Sequence, residues 1–293
     1  MIDEVLQLLV NGLVAGAVLA VPAIGFTTIF AVLRFANFAV ASHATIGAFA
    51  GYVANVTYGL PVAPALLAAF VVAGAIGVAS DEVALKPMRR AGALAAAIAS
   101  IALTIVLENV VRFAFGNELR GYDLPLFRDW RLSVLGGIDI RVGPQQLENM
   151  ALALVAMTVL LLMLAFTRTG KTMRAVADNP TLANLKGINP EAVARLTNFV
   201  GMGLAGMGGM LLGLDTSIDP LTGFRAILPV FAAVVVGGLG SIPGAVVGAL
   251  MVGIGEELSL VLLAPVYKSA VGFAAILLVL TFRPSGLLGA RQT

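Results

Sequence analysis

The chain has no cysteine, a single histidine and a single tryptophan in 293 residues, and only 12% of its residues are charged. Without cysteine there is no disulfide and no thiolate metal site. The lone histidine, His43, would need carboxylates to complete a metal site, and none lies near it in the chain. A net charge of +2 is too small to suggest a nucleic-acid partner, and the basic residues form no polybasic tail. The shortage of charge excludes more. A soluble domain carries about 25% charged residues, so this chain cannot cover a water-facing surface of ordinary size.

What is present is apolar: 59% of residues are hydrophobic and the mean hydropathy is +1.00. Lipid must be the solvent for much of the molecule, which is read as a single transmembrane domain over residues 1–293. A span needs about 20 apolar residues. Nine segments qualify as candidates: Leu6 to Leu33, Phe38 to Ala54, Pro61 to Leu85, Ala93 to Phe115, Gln146 to Phe166, Ala194 to Leu214, Leu228 to Gly238, Ala245 to Leu263 and Tyr267 to Phe282. The expected fold class is an all-α integral membrane protein with 8–10 transmembrane helices. Pro22 and Gly25 predict a kink or break in the first segment. The seventh is too short to span alone, and reads either as re-entrant or as joined to the eighth through "GGLGSIPG". The N-terminal "MIDEVLQLLV" opens with two acids, and reads as part of the first span rather than a removable signal.

Loop charge sets orientation. "KPMRR" (Lys86 to Arg90) is purely basic, and the loop at about 167–193 is rich in lysine and arginine. By the positive-inside rule both face the cytoplasm, and Arg283 and Arg291 place the C-terminus there too. The loop at about 116–145 mixes signs and suits the outer face. Three crossings before "KPMRR" then put the N-terminus outside. Within the outer loop, "WRLSVLGGIDIRVG" alternates around Gly136–Gly137 and predicts a small hairpin.

Few motifs point to chemistry. "TGKT" (Thr169 to Thr172) looks like the end of a phosphate-binding loop, but the glycine required five residues before Gly170 is Ala165, and a membrane helix replaces the required strand. If the protein uses ATP, another chain binds it. In "AVADNPTLANLKGIN", Asn179 can cap a helix with Pro180 at its first position, running to Lys186 and stopping at Gly187. That helix reads equally as an ordered loop or as a docking knob for a soluble partner.

Ionisable and polar groups inside a membrane are costly and mark pathways by default. Glu108 is followed four residues later by Arg112, an arrangement that favours an ion pair on one helix face. Asn109 and Asn55 read as interhelical hydrogen-bond formers. Glu256 and Glu257 fall inside the eighth segment, where at least one must face protein or water. The glycine-rich runs Gly201 to Gly213 and Gly237 to Gly255 predict close helix packing, and "GSIPG" a hinge or pathway element.

Together, "NFA" after the first span, "EVALKPMR", "GKTMRAVADNPTLANLKGIN", "VVVGGLGSIPGAVVGAL" and the final "RPSGLLG" resemble the membrane permease subunits of branched-chain amino acid ABC importers, particularly the bacterial high-affinity leucine/isoleucine/valine permeases. The resemblance covers nearly the whole chain. It implies an assembly of a second permease chain, homologous or identical, two cytoplasmic ATPase subunits that carry the ATP and Mg, and an extracytoplasmic substrate-binding protein, all in or on a prokaryotic inner membrane. It implies no cofactor on this chain and no bond chemistry by it. It also implies that the loop carries a short cytoplasmic coupling helix, with Arg174, Ala175, Asp178, Asn179, Pro180, Ala183, Lys186 and Gly187 as its coupling residues. Pathway candidates are Asn37, Ser42, His43, Glu108, Asn109, Gly240, Ser241 and Pro243. The family's usual His-Gly-Glu triplet after "NFA" is here Val40, Ala41 and Ser42, and Glu108 stands where an uncharged amide is usual, so the polar lining departs from the branched-chain prototype. The same broad family serves other amino acids, urea and amides, and aromatic acids. From the residues alone, a stand-alone secondary transporter and a non-transporting scaffold stay open.

Overall fold

The computed structural model describes residues 2–125, 130–134 and 138–289. Helix α1 runs Ile2–Leu33. Pro22 lies inside it and the helix continues through it, so of the expected kink or break there is no break. The Pro22 ring sits against Gly208, so a neighbouring helix fills the space beside the missing hydrogen bond. Helix α2 is Val40–Tyr52, extended by a π-helical turn Val53–Thr57. Helix α3 (Val62–Ser80) also ends in a π-helical turn, Asp81–Leu85, and passes into α4 (Lys86–Arg89). Helix α5 is Ala93–Phe115.

Strands β1 (Trp130–Val134) and β2 (Ile138–Val142) pair antiparallel, with Val134 opposite Ile138 and Trp130 opposite Val142. This is the expected hairpin; its Gly136–Gly137 turn lies outside the described residues, as does Arg291. The remaining helices are α6 (Pro144–Phe166), α7 (Arg168–Asp178), α8 (Pro180–Leu185), α9 (Pro190–Asp215), α10 (Thr222–Gly237), α11 (Ile242–Leu258) and α12 (Lys268–Phe282).

All nine apolar segments are therefore helical. Among the described residues, seven helical stretches are long and apolar enough to cross a membrane. The other two segments are α2 with its π-turn and the 16-residue α10. Helix α10 begins six residues before the segment expected at Leu228, because the polar-looking start at Thr222 is seated by Gly223, which is buried against the Ala41 carbonyl, while Phe224 and Arg225 stay exposed.

The centre of the bundle is α1 and α9. Helix α9 packs on α1, α2 and α3 through a glycine-rich stripe. Gly206 meets Gly47 of α2, and Gly209 meets the Ala44 carbonyl, so that an added methyl at either would collide with backbone. In lipid no hydrophobic force drives helices together, and approach this close supplies dispersion contacts instead. Helices α5 and α12 lie at the periphery. They expose Ile98, Ile105 and Phe113, and Leu277, Leu278 and Phe282, which only an apolar surrounding solvates.

Two ends of the bundle differ in charge. One gathers Arg34, the α3–α4 segment, α7, α8 and the start of α9; Phe30 and Gly240 also meet there, and Gly238 is overlaid by Gly289. Most of its charge is basic. The opposite end joins the start of α1, the hairpin, the 116–125 segment and the α9–α10 loop, with Arg120 and Ile218 exchanging backbone hydrogen bonds at 2.8 and 2.9 Å.

Candidate functional site

The basic end presents the most distinctive surface. Thr167 caps α7 through its side-chain oxygen, which accepts from Gly170 N at 3.2 Å. Gly170, Met173 and Val176 face inward, and the Arg174 guanidinium donates to the Leu164 carbonyl. Helix α7 thus lies clamped against the end of α6. Its helical character was missed in the sequence, although an apolar residue recurs every third position and Thr167 is a good cap. Asn179 then caps α8, accepting from Leu182 N at 2.9 Å, with Pro180 at the first helical position. The chain turns out at Gly187 with φ 82°, one residue after the α8 cap at Lys186. This is the predicted helix, ending at Leu185.

Ala183 is buried and anchors α8, whereas Leu182 is 53% and Leu185 80% exposed. Asp178, Asn179, Pro180 and Lys186 are exposed around them, and Ala175 is half-buried. The short helix thus displays two leucines on its outward side while Ala183 holds it to the bundle.

Ion pairs and one hydrogen bond link the elements beside α8. Lys86 lies 3.0 Å from Glu82 and 3.1 Å from Glu191, and Arg195 also reaches Glu82, at 2.5 Å. Arg89 pairs with the buried Asp81 at 2.7 Å, and Arg34 donates to the Ala177 carbonyl at 2.6 Å. The strands of this network join α3 and α4 to α9, and the end of α1 to α7. Sequence reading counted Lys86, Arg89, Glu191 and Arg195 as loop charge and did not connect them to Asp81 and Glu82 at the end of the third segment.

The interior candidates cluster in part. Between α1 and α2 the backbone leaves helical form at residues 34–39, inside the bundle. The freed groups find partners on α5: Phe38 N donates to Ser100 Oγ at 2.9 Å, and Thr104 Oγ1 donates to the Phe38 carbonyl at 3.1 Å. Non-helical backbone within a bundle requires such partners. Neither Ser100 nor Thr104 was singled out from sequence, since hydroxyls on an apolar helix carry no pattern. Asn37 accepts from Ala39 N at 3.1 Å, while its side-chain nitrogen makes no hydrogen bond among the described residues. Ser42 Oγ donates to the Ala39 carbonyl at 2.9 Å. His43 is fully buried, with Nδ1 2.7 Å from the same carbonyl.

The other candidates lie apart. Glu108 and Arg112 form the expected ion pair, at 2.8 Å. Asn109 sits on the exposed face of α5 and donates to its own helix at Ile105, so it makes no bond between helices. Asn55, also expected to bond between helices, instead ties two loops to the end of α2: it donates to the Leu60 carbonyl and accepts from Asp123 N, both at 2.9 Å. Gly240, Ser241 and Pro243 form the α10–α11 turn at the basic end. Gly240 has φ 87°, Ser241 caps α11, and the carboxyl-terminal segment closes over the turn through Leu287 N to the Val236 carbonyl at 2.9 Å.

The geometry is that of a membrane bundle with a short capped helix exposed at its basic end, and comparison with known proteins decides its family. Residues 8–280 match the family described as "Branched-chain amino acid transport system / permease component". The chain belongs to that family. This permease is 35% identical over 97% of its length to the high-affinity branched-chain amino acid transport system permease protein LivH of Escherichia coli K12, covering 95% of that protein. It is 33% identical to BraD of Pseudomonas aeruginosa, with 97% and 95% covered. Among solved structures, the permease resembles PsaBC from Streptococcus pneumoniae in complex with Fab, with TM-score 0.51, 17% identity and 97% of each chain covered. At that identity the likeness concerns the fold. Like its relatives, the chain is a multi-pass membrane permease subunit rather than an enzyme.

Proposed function

We propose that this permease pairs with a second permease chain, identical or homologous, to form the pathway of an ATP-driven importer for branched-chain amino acids. Two ATPase subunits dock at the basic end and carry the ATP and Mg, and an extracytoplasmic binding protein delivers cargo to the opposite end. The basic end faces the cytoplasm by the positive-inside rule, with the N-terminus outside and the C-terminus inside. The chain binds no cofactor of its own. Its work is mechanical: nucleotide-driven movement of the ATPases pushes on α8, and the bundle rocks between outward and inward openings.

The observation that carries this reading is the display of Leu182 and Leu185 on a capped helix whose Ala183 is buried. An ATPase groove would cover both leucines, and the clamp on α7 would pass the displacement to α6 and α1. Ala183→Pro tests it. Ala183 N donates to the Asn179 carbonyl at 3.0 Å, and proline removes that donor and breaks the helix. The variant complex is expected to hydrolyse ATP without leucine uptake in proteoliposomes. Wild-type uptake by the variant would remove α8 from the coupling role. Leucine uptake by the permease alone, driven by an ion gradient without ATP, would overturn the importer reading.

A further inference from the structure

At the mixed-charge end, α1, α10, α11, α12 and the α9–α10 loop enclose an open cavity of about 500 Å³. Its charged lining is of both signs: Asp215 and Glu256 with Glu257, facing Arg225 and Lys268. Lys268 is paired with Glu257, and Arg225 with Asp219. Glu256 is different. It lies in the last turn of α11, and its Oε1 is enclosed beside Gly272 of α12 and accepts no hydrogen bond among the described residues. Nor has Asp215 an ion-pair partner among them. The other wall is apolar, built by Val18, Leu19, Leu212 and Pro229.

An unpaired carboxylate at the edge of a membrane is costly unless water or a ligand meets it. This cavity offers acceptors without donors on one side, a guanidinium with unused N–H groups on another, and a hydrocarbon wall. A ligand that matches all three has an ammonium, a carboxylate and an apolar side chain. We infer that this outer vestibule is a cargo subsite for zwitterionic α-amino acids, with Glu256 and Asp215 receiving the ammonium, Arg225 the carboxylate, and the Val18–Leu19–Leu212 wall the aliphatic side chain. The inference rests on the importer reading above and places its cargo recognition. It shares no residue with the 34–39 break or with Ser42 and His43 of α2.

The test uses the assembled transporter with its ATPases, in detergent and without binding protein. Radiolabelled leucine is titrated by scintillation proximity, with 4-methylpentanoate (no ammonium) and leucinamide (no carboxylate) as competitors. Wild type is expected to bind leucine and to reject both competitors at least tenfold. Glu256→Gln should weaken leucine at least tenfold and abolish discrimination against 4-methylpentanoate, while still rejecting leucinamide. Arg225→Gln should show the converse. These opposite signatures would not arise from a general packing defect. Wild-type leucine affinity and selectivity in both variants would overturn the subsite, as would absence of leucine binding by the wild-type complex. ATP-driven leucine uptake by the complete wild-type importer is measured in parallel. If uptake is normal while the binding signatures are absent, the subsite falls and the importer reading stands. If uptake itself is absent, both fall.

Discussion

His43 places its own proton. Nδ1 lies 2.7 Å from the Ala39 carbonyl, so it carries the hydrogen, and the ring is held against its own helix in full burial. That geometry suits packing between helices, and it leaves Asn37 as the polar group at the α1–α2 break with an unused donor. Glu108 pairs with Arg112 one turn along the peripheral helix α5, so the pair is local and joins no second helix. Glu108→Gln is therefore expected to keep leucine uptake close to wild type. Loss of uptake with normal membrane insertion would move Glu108 onto the pathway. Tyr122, in the 116–125 segment, donates its hydroxyl to the Ala48 carbonyl at 2.8 Å, and burial pushes its pKa above the ordinary value near 10. The folded state thus prefers the neutral phenol. The stability this confers is present below pH about 10 and declines as pH rises beyond it. Tyr122→Phe should flatten the decline in melting temperature between pH 9 and pH 11; an unchanged alkaline slope would show that the hydroxyl does not carry it.

At the scale of elements, glycine placement is what lets α2 and α9 share the core. Gly209→Ala would drive a methyl into the Ala44 carbonyl and should cost about 1–3 kcal/mol, read as a lower melting temperature in detergent. Gly255→Ala is the control, because a methyl there meets Val271 at an ordinary 3.6 Å. Equal effects at the two positions would show that backbone approach is not what limits packing. Helix α8 was legible in sequence because its signals are local: Asn179 caps, Pro180 starts, Gly187 ends. Helix α7 was not, since its inward face is defined by α6, which it packs against. The start of α10 was hidden for the same reason, as Thr222 and Arg225 read as loop until Gly223 is seated against α2.

For the whole molecule, the absence of cysteine makes orientation directly measurable. With no native thiol, Glu118→Cys is expected to react with a membrane-impermeant maleimide in intact cells, and Thr181→Cys only in inverted vesicles. Both positions are exposed, at opposite ends of the bundle. The reverse pattern would invert the proposed topology. The apolar sides of α5 and α12 are wide enough to meet lipid or a second permease chain, and the fold of one chain leaves either face free for it.

Sequence alone determined the solvent, the helical class, the family resemblance and the short helix α8, because each follows from composition or from neighbours within a few residues. It also marked at least one of Glu256 and Glu257 as needing protein or water. Only the tertiary structure decided which of the two carboxylates is paired, because Lys268 arrives from another helix. Tertiary packing likewise set the candidate pathway groups apart, burying Asn37, Ser42 and His43 together and leaving Asn109 on the periphery. The helical period says which residues share a face; which face meets lipid, protein or a cavity depends on helices far away in the chain.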